Sequence, residues 1–348
     1  MSVTPLRPAA AVHADGALRR AAAPGILGIG AFTPAGRLTN ADLEAMVDTS
    51  DTWILERTGI RERRRGDATE TSSVMGARAA AQALARAGNP EVDLVLTATA
   101  SPDTLFPSTA CLIQRRLGIG GIPAFDLSAA CSGFVYALTL AESLIATGRN
   151  RRILVVAAES MTSLVDFKDR GTCVLFGDGA GAAVVGVDET GRGGLRAASW
   201  GADGGESDLI YFGPPSDGSE GPDAVRMHGK GTFRLAVERM AETAERLCAQ
   251  AGWAVGDVDH VVPHQANLRI IDAVAKRLGL RPEQLVVNGD MYGNTSAASI
   301  PIALAEADAT GRLHAGDRVL CVAFGAGLTW GGVALEWSLD PRDGRDGA

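Results

Sequence analysis

Residues 122–148 read IPAFDLSAACSGFVYALTLAESLIATG, and the order of elements in this stretch decides the fold. Ile122 to Leu127 is a β-rich run leading into Ser128, which predicts a strand. From Cys131 to Thr147 the residues are apolar nearly all round, and Gly148 follows. A helix with no polar face belongs in a core, and glycine is the expected stop. A strand running straight into a buried helix is one unit of a layered α/β fold, with Cys131 at the joint.

The same alternation extends in both directions. Upstream, strands are expected at Ile26 to Phe32 and Val92 to Ala98, with a small-residue helix at Thr71 to Ala87 and another at Cys111 to Leu117. Arg152 to Ala158 is a further strand, and Val174 to Val187 is a glycine-rich turn that becomes one. Downstream, helices are expected at Thr232 to Ala251, Leu268 to Leu278 and Ile300 to Ala309. Strands are expected at Val258 to Val262, Val319 to Phe324 and Leu328 to Trp337. Alternating strands and helices imply an α/β architecture with helices covering the sheets. Residues 25–190 and 191–348 read as a duplicated unit joined near residues 188–200. Gly213 to Ala224 reads as an exposed loop.

Composition narrows the function classes. A chain of 348 residues can hold one large core or two fused ones. Its 33 basic and 41 acidic residues give a net charge of −8, which argues against coating nucleic acid. Cys111, Cys131, Cys173, Cys248 and Cys321 are scattered without a CxxC pair, so a disulfide framework or zinc ribbon is not expected and a reducing cytoplasm fits best. No apolar run approaches the roughly 18 residues of a membrane span. Residues 1–24 lack a continuous apolar stretch and read as a frayed tail, or as a start codon assigned too early, rather than a signal peptide.

Three residues carry chemistry. Cys131 stands at a strand-to-helix junction, where unpaired N–H groups and the helix dipole favour a thiolate. Ala129, Ala130, Ser132 and Gly133 leave room for a substrate; a buried, inert thiol is the plain alternative. His264, in Val261-Val262-Pro263-His264-Gln265-Ala266-Asn267, follows a short strand, where loops commonly hold catalytic groups. His260 lies four residues away, a zinc-pair spacing on helices. Pro263 and two β-branched valines disfavour a helix there, and no Glu follows His260, so a metal site is rejected. Asn294, in Tyr292-Gly293-Asn294-Thr295-Ser296, reads equally well as a turn residue.

Gly28-Ile29-Gly30 and Gly177-Asp178-Gly179-Ala180-Gly181 read as tight turns, since neither opens a helix as a phosphate cradle must. Phe324-Gly325-Ala326-Gly327 follows a strand and either aims backbone N–H groups at a substrate oxygen or simply turns. After His264, Leu268, Ile271, Val274 and Leu278 form an apolar stripe, with Arg269, Lys276 and Arg277 on other faces. That basic face is either solvated or, on an acidic protein, a dock for an acidic partner.

Six segments in order then resemble the β-ketoacyl-[acyl-carrier-protein] synthase III family of thiolase-like condensing enzymes, over roughly residues 26–337. They are Asp48-Thr49-Ser50-Asp51-Thr52-Trp53-Ile54 with Arg57-Thr58-Gly59-Ile60-Arg61, Ala129-Ala130-Cys131-Ser132-Gly133-Phe134, and Phe176-Gly177-Asp178-Gly179-Ala180-Gly181. The others are Val262-Pro263-His264-Gln265-Ala266-Asn267-Leu268-Arg269, Tyr292 to Ser299, and Phe324-Gly325-Ala326-Gly327-Leu328-Thr329-Trp330.

The resemblance implies a five-layered αβαβα fold of two similar halves, a homodimer, no cofactor, and a Cys131-His264-Asn294 site. It implies that an acyl-CoA loads the cysteine and that malonyl-acyl carrier protein extends the acyl group, initiating fatty acid biosynthesis. By the same resemblance, Trp53, Arg57 and Arg170 hold the CoA adenine and nearby groups, while Gly229 and Asn267 line the pantetheine tunnel. Phe106 and Phe324 match the acyl pocket or malonyl site. Backbone N–H groups of Cys131 and Ala326 match the oxyanion donors, and Arg234, Arg269, Lys276 and Arg277 match the carrier-protein patch. Ala326 stands where many members have Gly, and Gly231 and Thr232 also depart from the usual pattern.

The alternative is a starter-unit ketosynthase or acyltransferase of a polyketide pathway. A thiolase would need a second reactive cysteine, and Cys321 reads as core. A hydroxymethylglutaryl-CoA synthase would need a Glu base near Cys131, and none accompanies residues 129–134. A non-catalytic relative would have lost the nucleophile.

Overall fold

The computed structural model describes residues 23–216 and 220–340. The expected tail lies outside them but for its last two residues, and Pro24 already belongs to a strand. In chain order the first half runs β1 (Pro24–Phe32), β2 (Arg37–Thr39), α1 (Asn40–Glu44), α2 (Asp51–Thr58), β3 (Glu62–Arg64) and α3 (Ser72–Arg86). It continues through β4 (Leu94–Ala98), α4 (Thr109–Leu117), β5 (Ala124–Leu127), α5 (Gly133–Ala146), β6 (Arg152–Ser160) and β7 (Asp178–Val187). The second half runs β8 (Gly194–Ala202), β9 (Ile210–Gly213), β10 (Ala224–Met227), α6 (Gly229–Ala251), β11 (His260–Pro263) and α7 (Leu268–Leu278). It ends with α8 (Gly289–Tyr292), α9 (Ser299–Ala309), β12 (Arg318–Gly325) and β13 (Thr329–Glu336).

One sheet has the order β1-β7-β6-β4-β5, and the other β8-β13-β12-β11. From β1 the neighbouring pairs run antiparallel, antiparallel, parallel, then parallel to β5. From β8 they run antiparallel, antiparallel, parallel. The second sheet thus repeats the first without its last strand, and the two similar halves expected from the sequence are present.

Helices α5 and α9 lie between the sheets, α3 and α4 cover the first, and α6 and α7 cover the second. The central position of α5 explains its lack of a polar face, since Phe134, Val135, Leu138, Ala141 and Ile145 are all buried. The Gly28/Gly30 pair has a packing cause: a Cβ there would meet the α3 backbone at Ala83 O (2.2 Å) and Ala79 O (2.5 Å). Helix α3 lies directly on β1, which small residues permit.

Some boundaries differ from expectation. The joint near residues 188–200 is shorter, because β8 begins at Gly194 as the edge strand of the second sheet. Its outward residues break the apolar run, so no strand was legible there. A β9–β10 hairpin brackets the expected loop, of which residues 217–219 lie outside the description.

Candidate active site

Cys131 follows β5 and His264 follows β11, each at the C-terminal end of a strand in a parallel pair. Ligand sites gather at that edge of α/β sheets. Cys131 itself sits in a single 3-10 turn, Ala130–Ser132, entered through Ala130 at φ +44°. Helix α5 begins only at Gly133, so the thiol stands one turn before the helix rather than in its first turn. The expected thiolate stabilisation is overridden. Burial, reinforced by the charge of Glu159, pushes the thiol up to about 12. What exposure Cys131 keeps is toward the cavity it lines.

His264 is held from two sides. Its backbone N–H donates to Val322 O (2.8 Å), continuing the β11–β12 register. Its Nδ1 lies 2.7 Å from Ser299 Oγ, at the start of α9. Ser299 Oγ also accepts the Gln265 N–H (3.3 Å) and keeps a hydrogen that can point to Nδ1. In that arrangement the imidazole carries its proton on Nε2 and presents it as a donor. Burial lowers the His264 pKa to about 3, which keeps the ring neutral. His260 turns elsewhere, its Nε2 3.3 Å from Asp317. Among the described residues no cluster of three or more His, Cys, Asp or Glu is placed to hold a metal ion.

Asn294 is stitched to the first half. Its N–H donates to Leu175 O (2.8 Å), and its carbonyl accepts the Gly177 N–H (3.0 Å). The side-chain Oδ1 accepts the Ser296 N–H at 2.8 Å, which leaves Nδ2 as the free donor. Gly325 is the last residue of β12 and lies against the nucleophile turn. A Cβ there would stand 2.7 Å from Cys131 N and 3.1 Å from Ser132 N.

Cys131, His264, Asn294, Phe324 and Ala326 line one cavity of about 580 Å³, whose walls also include Arg57, Gly229, Asn267 and Arg269. Asn267 is first a helix cap: its Oδ1 accepts the Arg269 N–H and its Nδ2 donates to Arg57 O. Other expected residues stand outside the lining. Trp53 and Arg170 stack on each other, with the guanidinium carbon 4.8 Å from the ring centre. Phe106 is 84% exposed on the loop after β4 and does not reach the cavity within one chain. Arg234, Lys276 and Arg277 are exposed; Arg234 pairs with Glu238 at 3.5 Å, and Lys276 and Arg277 occupy the last turn of α7.

The sequence reading missed Ser299, Ser296 and Glu159, all buried at this edge. Glu159 had one visible signal, a carboxylate continuing the apolar run of β6. The serines, inside Asn294-Thr295-Ser296-Ala297-Ala298-Ser299, had none beyond their neighbourhood.

A repeated pair of sheets, with the cysteine after a strand of one, the histidine after a strand of the other and the asparagine on a loop before α9, is the plan of the thiolase-like condensing enzymes. Comparison with known proteins narrows this. Residues 125–204 match the family model of 3-oxoacyl-[acyl-carrier-protein] synthase III, and residues 248–337 match that of its C-terminal part. The chain is 50% identical to the β-ketoacyl-[acyl-carrier-protein] synthase III of Symbiobacterium thermophilum over 325 residues, covering 90% of this chain and 98% of the relative. Against the enzyme of the same name from Caldanaerobacter subterraneus it is 46% identical, covering 91% and 98%.

Among solved structures, the 3-oxoacyl-[acyl-carrier-protein] synthase III of Aquifex aeolicus superposes with a TM-score of 0.86 at 46% identity, covering 90% of this chain and all of that one. The priming β-ketosynthase of the R1128 polyketide pathway gives 0.86 at 38% identity, covering 92% and 97%. The chain belongs to the β-ketoacyl-[acyl-carrier-protein] synthase III family, and it is a condensing acyltransferase.

Proposed function

We propose that this enzyme loads a short acyl group from acyl-CoA onto Cys131 and condenses it with malonyl-acyl carrier protein, initiating fatty acid biosynthesis. One observation carries the reading. Two neutral donors, His264 Nε2–H and Asn294 Nδ2–H, are left free at the cavity because Ser299 and the Ser296 N–H occupy their other ends. Such a pair suits a thioester oxygen that turns negative as malonyl loses CO₂. Backbone N–H groups of Cys131 and Ala326 serve the other oxyanion, formed when the thiol attacks the acyl-CoA. Two transfers at one cysteine give ping-pong kinetics.

In this reading Arg57, Gly229 and Asn267 flank the pantetheine path, the Trp53–Arg170 stack receives the adenine, and Phe324 borders the malonyl site. Arg234, Arg269, Lys276 and Arg277 receive the carrier protein. Leu105 and Phe106, 90% and 84% exposed, meet a second copy of the chain, which brings Phe106 to the partner's acyl pocket. Residues 25–190 and 191–348 act as the two halves. The five unpaired cysteines support a cytoplasmic location, and no helix among the described residues is long and apolar enough to cross a membrane.

Intact-protein mass after mixing with acetyl-CoA, isobutyryl-CoA or a longer acyl-CoA tests this. A mass gain that needs Cys131, and that malonyl-acyl carrier protein discharges as a 3-oxoacyl product, is expected. The likeness to the R1128 priming ketosynthase favours a polyketide starter enzyme as the second reading. Loading without discharge would select its acyltransferase form, and no loading from any acyl-CoA would overturn the proposal.

A further inference from the structure

Two turns from opposite halves of the chain meet at the cysteine. One is the nucleophile turn after β5, residues 129–132; the other is residues 326–328, which join β12 to β13. Thr329, the first residue of β13, stands between them. Its Oγ1 lies 3.0 Å from Ala129 O and 3.0 Å from Ala326 O. We propose that Thr329 is the positioning residue of the oxyanion pair: its hydroxyl clamps the two turns so that the Cys131 and Ala326 N–H groups converge on one point. This rests on the oxyanion role given to those two N–H groups above.

Both N–H groups are available for that role. Among the described residues neither has a hydrogen-bond acceptor. The next two donors of the nucleophile turn are used, the Ser132 N–H by Ala129 O (3.1 Å) and the Gly133 N–H by Ala130 O. In the second turn Leu328 is fastened twice to Asp203, its N–H donating to Asp203 O and its carbonyl accepting the Asp203 N–H, each at 2.8 Å. Gly325 is fixed opposite Thr329 as the last pair of β12 and β13. Ala326 lies between these points, outside both strands, and lines the cavity with Cys131. Among the described residues its carbonyl has Thr329 as its only hydrogen-bond donor.

A hydroxyl has a single hydrogen, so two carbonyls at equal distance share it. Both are drawn toward one oxygen, and that sets the separation of the turns. The approach is close. A Cβ on Gly325 would lie 2.7 Å from Cys131 N, 3.1 Å from Ser132 N and 3.2 Å from Thr329 Oγ1. Thr329→Val keeps the volume and removes the hydroxyl, which frees the Ala326 turn to move away from Cys131. Oxyanion donors act only in hydrogen-bond geometry with the oxygen, and a displacement of about 1 Å can cost ~10²-fold in rate.

A threonine that merely supports the fold would treat every reaction of Cys131 alike. A clamp on the oxyanion donors matters only where an oxyanion forms. When a p-nitrophenyl ester acylates the cysteine, the S–C bond forms and the carbonyl oxygen becomes an oxyanion. Collapse then expels p-nitrophenolate, and the thiol proton goes to solvent. Iodoacetamide also forms an S–C bond and releases the thiol proton, but iodide leaves a saturated carbon and no oxyanion arises. The thiol and the route to it are common to both reactions.

The test follows p-nitrophenyl acetate and iodoacetamide by intact mass, with Cys131→Ala giving the background from other nucleophiles. Thr329→Val should slow acylation about 10- to 100-fold while alkylation stays within about twofold of wild type. Thr329→Ser keeps the hydroxyl and should bring acylation back to within about threefold of wild type. If Thr329→Val fails to fold, Thr329→Ala is set against Thr329→Ser in its place. Acylation of Thr329→Val within about threefold of wild type, an equal loss in acylation and alkylation, or Thr329→Ser as slow as Thr329→Val would each overturn the clamp. Acetyl-CoA loading run in parallel judges the condensation reading separately, since the ester needs neither CoA nor carrier protein.

Discussion

Asn294→Asp probes the donor pair with little change of shape. The Asn294 side chain uses Oδ1 to hold the Ser296 N–H at 2.8 Å and offers Nδ2 to the cavity. An aspartate keeps the first contact and replaces the donor with an acceptor. Losing one donor to a developing oxyanion costs ~3–4 kcal/mol, or 10² to 10³ in rate. A carboxylate there would also face the enolate charge; at 4 Å and an effective dielectric constant of 20 that repulsion is about 4 kcal/mol.

Decarboxylation of malonyl-acyl carrier protein, followed as CO₂ release without acyl-CoA, should fall at least ~10²-fold at pH 8. Loading of Cys131 from acetyl-CoA, followed by mass, should stay within about tenfold, because its oxyanion is served by backbone donors. The rate should partly recover as pH falls, since a protonated aspartic acid can donate where the carboxylate cannot. Decarboxylation within tenfold of wild type at pH 8, or equal loss in both steps, would refute the assignment of Asn294 to the malonyl half.

Three further outcomes follow from the same geometry. Ser299→Ala frees the His264 tautomer and removes one hydrogen bond worth about 1 kcal/mol, so decarboxylation should slow several-fold with loading unchanged in stopped-flow assays. Gly325→Ala places a methyl 2.7 Å from Cys131 N, a backbone atom that cannot yield, so mass spectrometry should find loading abolished and thermal unfolding should come earlier by roughly 1–3 kcal/mol of stability. His264 is neutral in the folded chain down to about pH 3 but titrates near 6.5 when unfolded, so its contribution is intact above 6.5 and is lost as pH falls below it. Wild type should therefore lose stability relative to His264→Gln by about 1.4 kcal/mol per pH unit between pH 6 and 4 in urea unfolding.

The layered fold was legible because its elements are nearly uniform in character. The buried run of α5 and the apolar cores of β4, β6 and β12 need no tertiary information to be recognised. Strand β8 was not legible: Arg196 and Trp200 interrupt its pattern, and its pairing with β13 is set by a partner more than a hundred residues away. Cys131 and His264 stood out by residue type at strand ends. The groups that orient them did not, because Ser299, Ser296 and Glu159 acquire meaning only when α9 and β6 converge on the same edge. Nor does the sequence reveal that α5 starts after the cysteine, which depends on the φ of Ala130.

The paired hydrogen bonds that tie Asn294 to Leu175 and Gly177 have a consequence for the growing chain. Synthesis delivers the cysteine early and its two partners late. A nascent first half bears a thiol without the residues that give it work, and the segment from Leu175 to Gly177 has no Asn294 to receive. Acyl transfer therefore needs the final quarter of the polypeptide to have emerged and closed that seam, so a ribosome stalled before it carries the cysteine without its site.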